Sequence, residues 1–90
     1  MQRIDSSDNK RLKRLASLKQ KKVRLEENLF LIEGEKIIRE AMAGNAGIEM
    51  VLVSNTFAAV NVTLCNELDE RYDLYMTSER NLLKCSALKT

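Results

Sequence analysis

The sequence predicts one α/β domain with a small, mostly parallel sheet and helices on both of its faces. Three observations carry this expectation. Short apolar runs alternate with amphipathic stretches along the chain, Gly, Ser, Asn and Thr punctuate the boundaries, and no Pro occurs in 90 residues. Strands alternating with helices form crossover units, and crossovers leave neighbouring strands parallel. Ninety residues are one domain's worth of chain, and a domain of this size has a modest core.

Each element has its own warrant. Ser6-Ser7-Asp8 offers N-cap oxygens, so a helix is expected from about Asp8 to Gln20 or slightly beyond. At 100° per residue Leu12, Leu15, Ala16 and Leu18 share one broad face. Leu29-Phe30-Leu31-Ile32 is an unbroken apolar run, as in a strand buried on both faces. Glu33-Gly34 ends it, and a helix follows to about Ala43 with Ile37, Ile38, Ala41 and Met42 inward. Glu35 with Arg39, and Lys36 with Glu40, form i,i+4 pairs on its wet side. Gly44 is placed as the C′ residue, and Asn45-Ala46-Gly47 continues the turn.

Ile48–Val53 reads as the second buried strand, broken by Ser54-Asn55-Thr56. Residues 58–70 contain the weak helix formers Val60, Val62 and Thr63, yet their place between two strands argues for a helix. Leu74-Tyr75-Met76 is a short third strand. Thr77-Ser78 caps a last helix reaching about Leu83 or Cys85, with Glu79 favourably placed in its first turn. The order is α-β-α-β-α-β-α.

Composition narrows the function. Apolar residues are 44% and charged residues 31%, which argues for a folded soluble domain rather than disorder. No apolar run approaches the ~20 residues of a membrane span, and no apolar stretch follows the N-terminal residues as in a signal peptide. A cytoplasmic protein is therefore expected, with Cys65 and Cys85 as reduced thiols. Without His, and with two Cys, the usual zinc sites cannot be assembled, and a Cys–His nucleophile is excluded. There is no Gly-rich phosphate loop.

Charge is distributed unevenly. Residues 1–24 carry a net +7 and residues 25–90 a net −5, so the overall +2 conceals a basic arm on a mildly acidic body. Such asymmetry implies a polyanionic partner met by one end of the molecule. If the first helix persists far enough, Lys10, Lys13, Arg14, Lys21 and Arg24 fall within roughly a 100° arc opposite the apolar stripe. They form either a solvated face or a set of phosphate contacts, which would relieve their mutual repulsion.

Gly34 serves either a tight strand-to-helix turn or a helix N-terminus whose free N–H groups meet a phosphate or a base edge. Lys36 and Arg39 are the nearest cations, and Glu33 would orient backbone or accept from a base amino group. Tyr72 and Tyr75 read as core or rim residues rather than as base-stacking platforms.

The ordered set Ile4-x-Ser6-x-x-Asn9, Lys13, Leu15, Leu18, Lys22-x-Arg24, Phe30-Leu31-Ile32-Glu33-Gly34, Lys36, Glu40-Ala41 and Gly44, closing with Tyr72 through Leu83 to Ser86, resembles a known domain. It is similar to the substrate-binding domain at the front of the SpoU (TrmH-type, SPOUT superfamily) RNA ribose 2′-O-methyltransferases. The likeness covers nearly the whole chain.

The resemblance implies a three-layer α/β/α sandwich similar to kink-turn-binding ribosomal proteins. It implies structured rRNA or tRNA as partner and adds Asn9 to the RNA-contacting candidates, strengthening the case for Lys13 and Arg24. It also implies a knotted catalytic domain beyond residue 90 that binds S-adenosylmethionine and dimerises, so the 90 residues are expected to be non-catalytic, cofactor-free and monomeric. A free-standing kinked-RNA-binding protein is the nearest alternative. A small adaptor whose basic helix meets an acidic protein is a third reading.

Overall fold

The computed structural model describes residues 1–6, 9–29, 31, 33–45 and 47–86. In chain order these form β1 (Gln2–Arg3), α1 (Lys10–Ser17), α2 (Lys21–Glu27) and α3 (Glu35–Ala43). Then come β2 (Val51–Ser54), α4 (Asn55–Val60), α5 (Val62–Arg71), β3 (Leu74–Thr77) and α6 (Glu79–Cys85). The sheet order is β1-β3-β2 and both pairings are parallel, with Gln2 opposite Tyr75 and Leu52 opposite that same residue on the other side. The α/β class and the parallel sheet agree with the sequence reading.

Alternation along the strands sorts the core into two layers. Val51, Val53 and Leu74 point to one side, where they meet Met42 of α3 and Leu64, Cys65 and Leu68 of α5. Tyr75 points to the other and packs with Ile4, Leu12 of α1 and Cys85 of α6, with Leu52 alongside. Period-two side chains on a sheet make this division unavoidable. It also keeps Cys65 and Cys85 in separate layers, and both are free thiols. Burial pushes both thiols above their usual range, which suits inert core residues rather than nucleophiles.

The strand-to-helix corners are closed by hydroxyls. Ser54 Oγ accepts from Phe57 N at 3.0 Å and Ser78 Oγ from Asn81 N at 3.2 Å, capping α4 and α6. Thr77, fully buried, donates to Ile4 O at 2.7 Å and accepts from Asn81 Nδ2 at 3.2 Å, which locks β1 to the central strand. Hydroxyls of Thr56 and Ser54 hold the Glu79 carboxyl below the usual carboxylate range. A folded-state pKa that is depressed adds stability above the unfolded pKa, and that contribution is lost as pH falls through the lowered range.

Several sequence expectations are corrected. The first helix is two: α1 stops at Ser17, Leu18 turns inward at 4% exposure, and α2 starts after the extended Gln20. Ser17 Oγ donates to Arg14 O at 2.6 Å, a back-bond that competes with helix continuation. The cap of α1 is Asn9, whose side chain accepts from Arg11 N at 2.8 Å. Ser7 and Asp8 of the expected cap lie outside the described residues.

The strand expected at Leu29–Ile32 rests on Phe30 and Ile32, which also lie outside them. Leu29 N–H instead donates back to Arg24 O, completing a Schellman-type end to α2 at left-handed Asn28. β1 is an unforeseen edge strand, because two exposed polar residues leave no apolar pattern.

The second strand begins at Val51 rather than Ile48 and ends one residue later. The helix between β2 and β3 is split at Asn61, between the exposed Val60 and Val62. In α3, Ile37 is 47% exposed rather than inward. The left-handed residue after α3 is Asn45, not Gly44. Of the two pairs expected on α3, Glu35–Arg39 forms at 3.1 Å, while Lys36–Glu40 is not an ion pair.

Candidate nucleic-acid interface

The basic arm is built on α1, which lies over the Tyr75 side of the sheet beside α6. Burial of Leu12 turns the opposite side of the helix to water, and Lys10 and Lys13 are exposed there. Among the described residues neither enters an ion pair, so both ammonium groups are open to an anion. The other members of the expected arc are engaged or displaced.

Arg14 is drawn sideways to Glu49 at 3.2 Å and Glu27 at 3.5 Å. The Glu49 hydrogen bond, then its charge, pushes the guanidinium pKa up. It ties α1 to α2 and to the segment before β2. Exposed pairs of this kind contribute little stability, but they set where the side chain rests.

Arg24 is half-buried and turned back towards the α1–α2 corner. Its Nη1 donates to Leu18 O at 2.9 Å and Lys19 O at 2.7 Å. These carbonyls have lost helical partners where α1 breaks, so Arg24 holds the α1–α2 corner in place of a phosphate contact. The expected arc assumed an unbroken helix, and the break removes the geometry that put Arg24 and Lys21 on it. Lys21 is exposed at the start of α2 and carries no ion pair among the described residues.

Arg24→Gln is therefore expected to lower stability by about 1–2 kcal/mol. That lies toward the low end of the range for hydrogen bonds to a charged group, because the guanidinium is partly exposed. Chemical denaturation would show it, and the salt dependence of any anion binding should be unchanged.

Asn9 spends its side-chain oxygen as a helix cap, which orients the first turn of α1. The second candidate group lies elsewhere. α3 packs on the opposite side of the sheet from α1 through Met42 and Ile38, so Lys36 and Arg39 do not join the α1 lysines. Arg39 is held by Glu35, while Lys36 is exposed and, among the described residues, outside any ion pair.

Gly34 has φ +101° and ψ 144°, a conformation that supports the turn reading. Glu33 accepts a hydrogen bond from Ser86 Oγ, linking the strand-to-helix junction to the end of α6. Both junction residues border a cavity of about 490 Å³ whose largely apolar lining includes Leu15, Leu18, Leu31 and Met50.

Sequence reasoning passed over Arg11. It sits roughly 100° from Lys10 on the helical wheel, towards the apolar side. Its Cζ lies over the Tyr75 ring, 4.8 Å from the centroid. Tyr75 itself is buried, as the core reading expected, and Tyr72 is half-buried against the other layer under Arg71.

Residues 9–90 match the family model of the MRM3-like substrate binding domain. The chain belongs to this family. It is also 32% identical over 79 residues to the Bacillus subtilis (strain 168) 23S rRNA (guanosine(2553)-2′-O)-methyltransferase RlmP. That match covers 88% of the chain and 30% of the relative. The resemblance to SpoU-type substrate-binding domains thus holds, and the fold and the basic α1 face belong to a substrate-binding module. Among the described residues no helix is long and apolar enough to cross a membrane.

Proposed function

We propose that the chain recognises structured ribosomal RNA on behalf of a ribose 2′-O-methyltransferase. The observation that carries this reading is the α1 face of a substrate-binding family member, where Lys10 and Lys13 stand exposed and, among the described residues, outside any ion pair. Phosphates are the partner such lysines suit, since each contact releases condensed counterions. A-form RNA conceals its major-groove edges, so recognition here rests on backbone charge and shape with single-stranded bases as the readable part.

The chain spans 30% of the relative it matches, and methyl transfer is assigned to a separate, knotted part of the protein expected to dimerise. S-adenosylmethionine, bound by that part, supplies the methyl group. The role of the 90 residues is to bind and orient RNA. Lys10 and Lys13 are the primary phosphate contacts and Lys21 an additional one. Arg14, Arg24 and Asn9 arrange α1 and α2, while Lys36 and Arg39 lie outside this face.

A competition experiment separates this function from its alternatives. The chain is bound to a fluorescent 23S rRNA fragment centred on the guanosine modified by the relative. It is then challenged with the unlabelled fragment, an unrelated duplex of equal charge, and poly-glutamate. The reading expects displacement by the unlabelled fragment at much lower concentration than by the others. Equal displacement by poly-glutamate would favour the adaptor.

A further inference from the structure

We propose that Arg11 and Tyr75 form a stacking site for one unpaired RNA base, next to the phosphate contacts of Lys10 and Lys13. The proposal deepens the RNA-binding function and rests on it. Tyr75 is 8% exposed, packed among Ile4, Leu12 and Cys85. It lies on the central strand, with ladder partners on both sides. The ring is therefore a fixed platform. Arg11 rests over it with its Cζ 4.8 Å from the centroid, within the range of a cation–π contact.

Arg11 is exposed and, among the described residues, enters no ion pair. Other arginines of the basic arm are held by carboxylates or carbonyls: Arg3 by Asp5 and Asn55, Arg14 by Glu49 and Glu27, and Arg24 by backbone oxygens. Arg11 alone among these four is held by a ring, which leaves its hydrogen-bond donors unspent.

A guanidinium supported from below by an aromatic ring keeps an upper face open. Nucleobases stack on arginine planes as they do on aromatic rings. The Asn9 cap fixes the turn that carries Arg11, since Asn9 Oδ1 accepts from Arg11 N at 2.8 Å. Lys10 lies about 100° round the helix from Arg11 and Lys13 about 160° round it in the same direction, so they would meet phosphates further along the strand than the stacked nucleotide. The ligand class is a single-stranded nucleotide in a loop or bulge. An uninterrupted duplex keeps its bases stacked on each other and would use the lysines alone.

The test is a thermodynamic cycle. A hairpin RNA has its loop nucleotides replaced singly by abasic residues, and each is bound to the wild-type chain and to Arg11→Lys, which keeps charge but loses the plane. At one loop position the abasic change should weaken wild-type binding roughly five- to tenfold, in line with stacking on an aromatic or guanidinium platform. Arg11→Lys should weaken the intact hairpin by a similar factor, show no further loss at that abasic position, and leave a closed duplex unaffected.

Lys13→Gln should weaken hairpin and duplex alike. If Arg11→Lys binds the hairpin as tightly as wild type, or the losses simply add, Arg11 acts as a charge only and stacking is wrong while RNA recognition stands. If neither RNA binds, both are wrong.

Discussion

Gly34→Val should lower the stability of the domain by about 1–3 kcal/mol. Gly34 has φ +101° and ψ 144°, a combination that β-branched residues scarcely adopt. A Cβ built there meets nothing within 4 Å, so crowding contributes nothing and the cost is backbone strain. For a domain this small each kcal/mol moves Tm by roughly 4–8 °C. Gly47 supplies the control: its added Cβ also meets nothing within 4 Å and its φ is not in the positive region, so Gly47→Val should melt nearly as wild type. RNA affinity of the folded Gly34→Val protein should be retained, because the α1 face lies in the other layer. Equal melting temperatures for the two variants would show that the turn does not require glycine.

The second large effect is electrostatic. Replacing Lys10 and Lys13 together by Gln removes two candidate phosphate contacts without touching the buried side of α1. Each contact contributes roughly 0.7–0.9 to the slope of log affinity against log salt, so the pair should flatten it by about 1.4–1.8. One decade below molar salt, this becomes a loss of roughly 25- to 60-fold in affinity at about 0.1 M. Lys36 on α3, in the other layer, serves as the control, and Lys36→Gln should leave both affinity and slope near wild type. A larger loss at Lys36 would move the interface to the strand-to-helix junction.

The alternation of apolar runs was enough to read α3, β2, β3 and α6, because each carries a local signal: Gly34 before α3, Ser78 before α6, and dense apolar residues in the strands. β1 was illegible because its pairing depends on β3, far along the chain, rather than on Gln2 or Arg3 themselves. The break at Leu18 was hidden for a related reason. Periodicity continues through it, and what ends the helix is a burial demand on Leu18 together with the Arg24 guanidinium folding back onto its carbonyl.

The same limit governs the interface. Helical spacing correctly exposed Lys10 and Lys13, since that depends only on Leu12 being buried. It could not show that Glu49 would claim Arg14, or that Tyr75 would lie beneath Arg11, because both partners are distant in sequence. Charge counts found the basic arm, and tertiary contacts decided which charges remain available.

The most direct measurement of RNA recognition is a salt titration of the 90-residue chain against the 23S rRNA fragment, followed by fluorescence anisotropy. Lys10, Lys13 and Lys21 are the proposed phosphate contacts of the arm, beside the base-stacking Arg11. Log affinity should then fall linearly with log salt at a slope of about −2 to −2.7. A slope near zero, or no binding at low salt, would contradict the assignment of α1 as an RNA-binding face.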